Sequence, residues 1–145
     1  MKKSSELNIA EIEKKIGYTF RDKSLLTQAF TRTSFCNEVN LTGKVKYHSN
    51  EVLEFFGDGV LSLSIITFLL KECTERYEHG IRTELGEGDF SNIKSKLSDK
   101  QNLSKSMKAL GLEKHLLMGE GDAKLGIQNE PSVMEDLFES IVGAI

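Results

Sequence analysis

The chain has 145 residues and a formal net charge of −3 at pH 7, and 39% of its residues are hydrophobic and 28% are charged. This length and balance indicate one globular domain with a hydrophobic core, and they exclude a disordered chain. The acidic charge argues mildly against nucleic-acid binding, because nucleic-acid-binding domains usually carry a basic surface, although acids that hold divalent cations can still attract phosphate.

Two short helices are predicted first. Asn8 is an N-cap with Glu11 three residues later, and Gly17 ends the first helix. Asp22 begins the second helix in the same way. The polar, irregular stretch 31–49 that follows is predicted as a long loop.

A long helix is predicted next, over residues 50–74. It is apolar nearly all round, which predicts a position at the centre of the core. Its longest apolar run, 60–70, is interrupted by Ser62, Ser64 and Thr67, so we expect no membrane-spanning segment.

Two further helices follow a glycine-rich turn. Asp89 or Ser91 is expected to cap the first of them, which runs to Leu97, and the second ends at Gly111. Residues 112–130 are predicted as loop with a short extended piece.

The last helix is predicted to open with Pro131 and Ser132, where Ser132 and Glu135 match a capping box. No alternating pattern typical of strands is present elsewhere in the chain. The sequence therefore predicts an all-α fold.

Acidic residues lie within the apolar parts of two of these helices. Glu51, Glu54 and Asp58 have the spacing i, i+3 and i+7, which places them on one helical face, and Asp136 and Glu139 share a face of the last helix. A solvated face is the usual interpretation of such pairs, but the apolar neighbours weaken it here. Like charges in a core raise each other's pKa, and a hard divalent cation with oxygen ligands, such as Mg²⁺, removes that cost.

Glycines flank one of these acids. Gly57 and Gly59 lie on either side of Asp58, and each costs roughly 0.5–1 kcal/mol relative to alanine inside a helix. They predict a close approach by another backbone or a ligand, with an interrupted helix as the alternative.

Other polar residues carry weaker signals. Cys36 and Cys73 fit no metal or redox spacing, which favours two reduced thiols in a cytoplasmic protein. A group of lysines falls on the two helices after Asp89, where a solvated face is favoured over a phosphate-binding stripe. These lysines are Lys94, Lys96, Lys100, Lys105 and Lys108.

The stretch NEVLEFFGDGVL, residues 50–61, resembles the signature N-E-x-L-E-F-L-G-D-A-V-L of the ribonuclease III endonuclease domain. SLLTQAFTRTSF resembles the second helix of that domain. EGDFSNIKSKLSDKQNLSKSMKALGL, LLMGEGDAKLG and DLFESIVGAI resemble its later blocks in the same order. The resemblance covers almost the whole chain.

The resemblance implies an all-helical endoribonuclease that forms a homodimer and cuts both strands of double-stranded RNA. It implies Mg²⁺ as cofactor, with Mn²⁺ able to substitute, and products with 5′-phosphates and short 3′ overhangs. The implied setting is cytoplasmic, in maturation and decay of rRNA and mRNA, with no membrane partner. Position by position, Asp58 and Glu139 match catalytic residues, and Glu54, Asp136 and Glu139 match metal ligands.

Three more positions take roles from the resemblance. Glu51 matches a supporting acid at the edge of the site, Glu87 an acid linked to RNA strand contact, and Phe55 an aromatic side chain that plugs the partner subunit. The chain departs from the usual Thr-His-Arg-Ser at residues 31–34, which read Thr-Arg-Thr-Ser, and Gly59 replaces the usual alanine.

The domain expectation is a ribonuclease III catalytic domain over residues 1–145. We expect its C-terminal end to be truncated and the double-stranded-RNA-binding domain that commonly follows to be missing.

Alternative functions remain open. A catalytically weak or silent relative would act as an RNA-binding or dimerisation module, although all four central carboxylates are present. GDGVL also resembles the nucleophile loop of haloacid-dehalogenase-like phosphohydrolases, but that loop needs a preceding strand. A di-iron bundle would need Glu-x-x-His pairs, which the sequence lacks.

Overall fold

A computed structural model of the chain describes residues 7–41, 43 and 45–145. Within these ranges the chain is mainly helical, which confirms the all-α prediction. The helices, in chain order, are α1 (Ile9–Ile16), α2 (Lys23–Ala29), α3 (Thr33–Val39), α4 (Glu51–Cys73), α5 (Glu87–Leu97), α6 (Lys100–Leu110), α7 (Glu120–Leu125) and α8 (Pro131–Ala144). An exposed antiparallel hairpin, which the sequence analysis did not predict, follows α4 as β1 (Glu75–Tyr77) and β2 (Gly80–Arg82).

Helices α1 and α2 begin at the capping residues that the sequence predicts, and α1 also ends as predicted. Asn8 accepts a hydrogen bond from the Glu11 N–H at 3.2 Å, and Gly17 ends α1 with a left-handed φ of 75°. Asp22 accepts one from the Ser24 N–H at 2.8 Å at the start of α2. In each case a short side chain satisfies a backbone donor that the first turn leaves unpaired. Neighbouring residues alone therefore determine where these helices begin.

The stretch predicted as a long loop contains α3, so that prediction was wrong. Arg32 precedes this helix and makes no side-chain hydrogen bond to its first turn, so no capping signal marks its start. Packing holds the helix instead, because Cys36 is buried and the rings of Phe35 and Tyr47 meet edge to face at 5.2 Å. Cys36, like Cys73, is a free thiol, as predicted.

A side-chain clamp connects the end of α3 to the segment before α4. The Asn40 side-chain amide donates a hydrogen bond to the Tyr47 carbonyl at 2.9 Å, and its oxygen accepts one from the Tyr47 N–H at 2.8 Å. The pair reproduces the hydrogen bonds that a neighbouring strand would make. It therefore fixes the separation between the two ends of the intervening segment.

Helix α5 begins before the predicted position. Its N-cap is Gly86, and Asp89 lies inside the first turn, where it accepts a hydrogen bond from the Gly86 N–H at 2.8 Å. Asp89 therefore caps the helix from within, and the prediction that Asp89 or Ser91 is the N-cap was wrong. The predicted ends at Leu97 and Gly111 are confirmed.

Residues 112–130 contain α7, although they were predicted as loop. No side chain at its own N-terminus caps this helix. The Glu38 carboxylate of α3 does so instead, by accepting a hydrogen bond from the Glu120 N–H at 2.9 Å. Because the capping group comes from a distant helix, no local pattern could predict it. The predicted extended piece is present, since Leu117 pairs in parallel with Thr31.

The last helix begins at Pro131 as predicted, but the capping box was wrong. Glu130 is the N-cap, and no side chain hydrogen-bonds to the first turn. Ser132 lies inside the helix, and Glu135 pairs with Lys100 of α6 at 3.6 Å. Glu135 therefore makes a contact to α6 instead of a capping bond.

Helix α8 lies at the centre of the core. It packs most extensively against α4, then against α6 and α2. Its buried residues are Val133, Met134, Leu137, Ser140, Ile141 and Ala144. The sequence analysis assigned this central position to α4, whose buried residues are Leu53, Gly57, Ile65 and Leu69. That assignment was wrong, because apolar composition shows that a helix avoids water but does not show whether the same chain covers it.

The exposed side of α4 is apolar along most of its length. Its exposed large apolar side chains are Val52, Phe55, Phe56, Val60, Leu63, Ile66, Phe68 and Leu70. By length and composition alone this helix could cross a membrane, contrary to the sequence analysis, and 22% of its most apolar window is buried. Ser64 and Thr67 interrupt the apolar run less than expected, because their hydroxyls donate to carbonyls one turn earlier, at 2.8 Å each.

Two glycines allow α4 and α8 to cross in backbone contact. A Cβ atom added to Gly57 would collide with the Glu139 carbonyl, and one added to Gly143 would collide with the Leu53 carbonyl. The predicted approach of another backbone is therefore confirmed for Gly57. Gly59 differs, because within the described part of the chain nothing lies within 4 Å of the position that its Cβ would take.

Gly57→Ala and Gly59→Ala form a matched pair that tests this crossing. The added methyl at Gly57 forces the two backbones apart, so we expect a loss of about 2–3 kcal/mol in the free energy of unfolding. At Gly59 the methyl meets open space and improves helix propensity, so we expect no loss and a gain of up to about 1 kcal/mol. Urea denaturation of both variants measures the difference, and equal effects at the two positions would contradict the crossing described above.

Candidate active site

The crossing of α4 and α8 brings together four of the predicted site carboxylates. The Glu139 backbone lies against Gly57, the residue before Asp58. Asp58 and Glu54 both act electrostatically on the Glu139 carboxylate, and Asp136 acts on Glu54. Helical periodicity had placed these acids in two separate pairs, and the crossing joins the pairs. We refer to Glu54, Asp58, Asp136 and Glu139 as the acid cluster.

Burial and mutual repulsion disfavour the ionised forms of these acids. Burial raises the pKa of Glu139 to about 7, and the negative charges of Asp58 and Glu135 add to the effect. Burial likewise raises the pKa of Glu54, and the charge of Asp136 acts in the same direction. The acid cluster therefore holds more negative charge than its surroundings compensate.

Two cations partly offset this excess charge. Arg32 Nη1 lies 3.6 Å from Asp136 Oδ2, and Lys100 Nζ lies 3.6 Å from Glu135 Oε2. Burial still raises the pKa of Asp136, although Arg32 and Lys100 both act in the opposite direction. Within the ranges that the structure describes, Asp136 is the one member of the acid cluster that forms an ion pair, and Lys100 pairs with the neighbouring Glu135.

Hydrogen bonds of the buried Asn50 hold together the chain segments that surround the acid cluster. Asn50 donates its N–H to the Thr31 carbonyl at 2.8 Å and its side-chain amide to the Ala29 carbonyl at 3.4 Å. From α8, the Ser140 hydroxyl donates to the Asp136 carbonyl at 2.6 Å and lies 3.5 Å from the Asn50 carbonyl. Three parts of the chain therefore meet here: the start of α4, the middle of α8 and the residues before α3.

Glu51 lies at the exposed edge of this arrangement. Its two carboxylate oxygens accept hydrogen bonds from the hydroxyls of Thr33, at 3.0 Å, and Ser49, at 3.1 Å. Its charge contributes to the raised pKa of Glu54. Glu51 therefore lies outside the acid cluster, is oriented by these two hydroxyls, and acts electrostatically on Glu54.

Glu87 and Phe55 lie away from the acid cluster. Glu87 is the first residue of α5 and lines a largely apolar cavity of about 550 Å³ together with Leu70 and Thr74. Leu70 is about 24 Å along α4 from Glu54, at a rise of roughly 1.5 Å per residue. The fold of one chain thus does not bring Glu87 to the cluster. The Phe55 side chain is 76% exposed.

The donor set of the cluster suits a hard divalent cation by its chemistry. Carboxylate oxygens are the ligands that Mg²⁺ and Mn²⁺ prefer, and such a cation would relieve the repulsion that raises the pKa values. Among the described residues, however, no group of three or more His, Cys, Asp or Glu side chains is already arranged to hold a metal ion. The Asp136 carboxylate also pairs with Arg32. The ligand set of Glu54, Asp136 and Glu139 stays a prediction.

Sequence analysis missed the polar neighbours of the cluster. Arg32 pairs with Asp136 and lies 3.7 Å from Asp122, and Glu135 adds a further negative charge beside Glu139. Arg32 and Asp122 are far apart in the chain and lie in stretches predicted as loops, so no periodic pattern could pair them. The one available signal was the departure from the Thr-His-Arg-Ser pattern, in which Arg32 takes the place of the histidine.

Two solved structures are similar to this fold. Both are of the nuclease domain of ribonuclease III from Campylobacter jejuni, and each superposes with a TM-score of 0.77. One is 32% identical and covers 95% of this chain and 84% of its own, and it is described as showing structural flexibility in a region involved in dimer formation. The other is 31% identical and covers 97% of this chain and 83% of its own.

Curated relatives agree with the structural similarity. Ribonuclease 3 of Roseburia hominis is 37% identical over 97% of this chain and 42% of the relative. Ribonuclease 3 of Treponema succinifaciens is 35% identical over 95% of this chain and 36% of the relative, so the chain spans less than half of either protein. A family model described as Ribonuclease-III-like matches residues 22–145. On that match the chain belongs to the ribonuclease-III-like family.

Proposed function

We propose that the chain is the catalytic domain of a Mg²⁺-dependent endoribonuclease that cleaves double-stranded RNA to 5′-phosphate products with short 3′ overhangs. Mn²⁺ can substitute, and the expected setting is cytoplasmic maturation and decay of rRNA and mRNA. One observation carries the proposal: carboxylates from two helices converge, and burial and repulsion raise the pKa of Glu139 to about 7. Membership of the ribonuclease-III-like family supports the same reaction.

Cleavage to a 5′-phosphate defines what the chain must do. A bond forms between a water oxygen and phosphorus, the bond between phosphorus and the 3′ oxygen breaks, and the 3′ oxygen takes up a proton. A bound Mg²⁺ supplies charge stabilisation on the phosphate and lowers the pKa of the attacking water. The residues of the chain must therefore hold that cation and orient the water and the phosphate.

The acid cluster offers distinct positions for these tasks. Glu54, Asp136 and Glu139 are half-buried and would hold the cation, whereas Asp58 is exposed on the open side. The exposure of Asp58 supports a role in accepting a hydrogen bond from the attacking water, beside Glu139. We assign these two as the catalytic residues and Glu51 as a supporting acid that adds negative charge from the edge of the site.

A homodimer is the second part of the proposal, and the exposed apolar side of α4 supports it. An exposed apolar surface of this extent marks an interaction site in a soluble protein. A second copy of the chain is the partner that we propose, because two-fold pairing would provide one acid cluster for each RNA strand. The 76% exposure of Phe55 supports its proposed role as the side chain that inserts into the partner.

One observation favours a weak or silent relative as the second candidate. The Asp136 carboxylate is already paired with Arg32, and among the described residues no ready-made group of ligands is assembled. A module of this kind would bind duplex RNA or dimerise without cutting. The cleavage experiment below distinguishes it from the enzyme.

Glu139→Gln tests the catalytic assignment. The amide keeps the shape of the side chain but removes one ligand charge, so we expect cleavage of labelled duplex RNA in Mg²⁺ to fall at least about a hundredfold. Glu130→Gln is the matched control, because Glu130 is exposed at the start of the same helix and makes no side-chain capping bond. Equal cleavage by the parent and Glu139→Gln would refute the assignment, and no cleavage by the parent would favour the silent module.

Thermal unfolding with and without Mn²⁺ tests the cation site without RNA. At a Mn²⁺ concentration ten times its Kd the stabilisation is about 1.4 kcal/mol, which raises the Tm by several degrees for a chain of this size. For Glu139→Gln we expect a higher Tm than the parent without metal, because one repelling charge is gone, and a smaller rise with Mn²⁺. Sodium chloride at matched ionic strength is the control, and a parent Tm that responds equally to both salts would count against the site.

Phe55→Ala tests the dimer. Sedimentation of the parent at micromolar concentration should give twice the chain mass of 16.2 kDa. Loss of a buried aromatic side chain at an interface costs about 2–4 kcal/mol, so the variant should shift toward monomer. Leu125→Ala is the control, since Leu125 is 80% exposed on α7, away from the apolar side of α4. A parent that sediments as a monomer would contradict the proposed assembly.

A further inference from the structure

Arg32 lies between two acids that come from distant parts of the chain. Its Nε lies 3.7 Å from Asp122 Oδ2, and its Nη1 lies 3.6 Å from Asp136 Oδ2. The Arg32 side chain is only 25% exposed, so these contacts form in a partly desolvated setting. The Arg32 guanidinium thus pairs with one acid inside the acid cluster, Asp136, and with one outside it, Asp122.

Asp122, the acid outside the acid cluster, is held in place independently of Arg32. Asp122 Oδ2 accepts a hydrogen bond from the Ser34 hydroxyl at 2.5 Å, and the Ser34 oxygen in turn accepts one from the Gly119 N–H at 3.0 Å. The Arg32 backbone is fixed as well, because its N–H donates to the Leu117 carbonyl at 2.9 Å. Asp122 is therefore a ready alternative partner for the guanidinium.

Asp136, the acid inside the acid cluster, has two competing partners. Asp136 belongs to the predicted ligand set for a divalent cation, and one of its carboxylate oxygens also forms an ion pair with Arg32. A divalent cation at the cluster would be repelled by the guanidinium at close range. The repulsion is relieved if the guanidinium withdraws from Asp136 and remains with Asp122, which is already oriented to receive it.

We propose that Arg32 is a resident counter-ion that exchanges with the divalent cation at Asp136 and is retained by Asp122 after the exchange. Arg32 keeps Asp136 compensated before the cation arrives and lowers the affinity for the cation. Asp122 raises that affinity by drawing Arg32 away. Both are positioning residues for Asp136. The inference rests on the proposed function, since it needs a divalent cation at the acid cluster.

Calorimetric titration of the whole chain with Mn²⁺, without RNA and at fixed pH and ionic strength, tests the exchange. Arg32→Gln should lower the Kd for Mn²⁺ by about five- to fiftyfold, in the range of ordinary coupling between sites. Asp122→Asn should raise the Kd by about three- to tenfold, because Arg32 then has Asp136 as its remaining partner. In the double variant the effect of Asp122→Asn should disappear, since the residue through which it acts is gone.

The opposite signs separate this role from a merely structural one, because loss of local structure would weaken Mn²⁺ binding in both single variants. Arg82→Gln is the matched control, as it removes the same charge from an exposed arginine on the hairpin, and its Kd should equal that of the parent. An unchanged or higher Kd for Arg32→Gln, with normal binding by the parent, would overturn the exchange and leave the proposed function intact. Absence of Mn²⁺ binding in the parent and in all variants would overturn both.

Discussion

The backbone contact between α4 and α8 is the constraint on which the rest of the structure depends. Gly57 and Gly143 bring the helices closer than any side chain would allow. Because α8 also packs against α6 and α2, its position relative to α4 is determined from several sides. The crossing lies within one turn of Glu54 and Asp58 on one helix and beside Glu139 on the other. The geometry of the acids is therefore set by helix packing and not by loops.

The same contact brings repelling charges together. Carboxylates that converge beside a core are unfavourable when ionised, and the raised pKa of Glu139 and Glu54 reflects that. Arg32 and Lys100 compensate the acids only in part. Packing contributes the free energy that holds the arrangement, and the remaining excess of negative charge supports the proposal of a cation at this site.

What could be predicted from sequence depended on the range of the interactions. Asn8 and Asp22 make hydrogen bonds to residues two or three positions away, so the starts of α1 and α2 follow from local pattern. Helices α3 and α7 were not predicted, because α3 is held by packing and α7 is capped by the distant Glu38 carboxylate. The position of α4 was misjudged because its apolar side remains exposed in a single chain.

The residues of the candidate site also divide into those that the sequence predicted and those that it did not. Helical spacing and the resemblance identified the acids, and the structure gathers four of them at the crossing. The pairing of Arg32 with Asp122 could not be predicted, because a salt bridge between residues far apart in the chain leaves no periodic pattern in the sequence. Glu87 was named from the resemblance alone, and one chain does not bring it to the cluster.

The clamp between Asn40 and Tyr47 has a consequence for how such a domain can diversify. The side-chain amide of Asn40 closes the intervening segment with two hydrogen bonds, so the end of α3 and the residues before α4 are joined directly as well as through that segment. Doubling the length of a flexible loop costs only about 0.6 kcal/mol in closure entropy. We therefore expect an insertion between these two residues to cost little stability, whereas one between Tyr47 and Asn50 would displace the start of α4 and the acids that α4 carries.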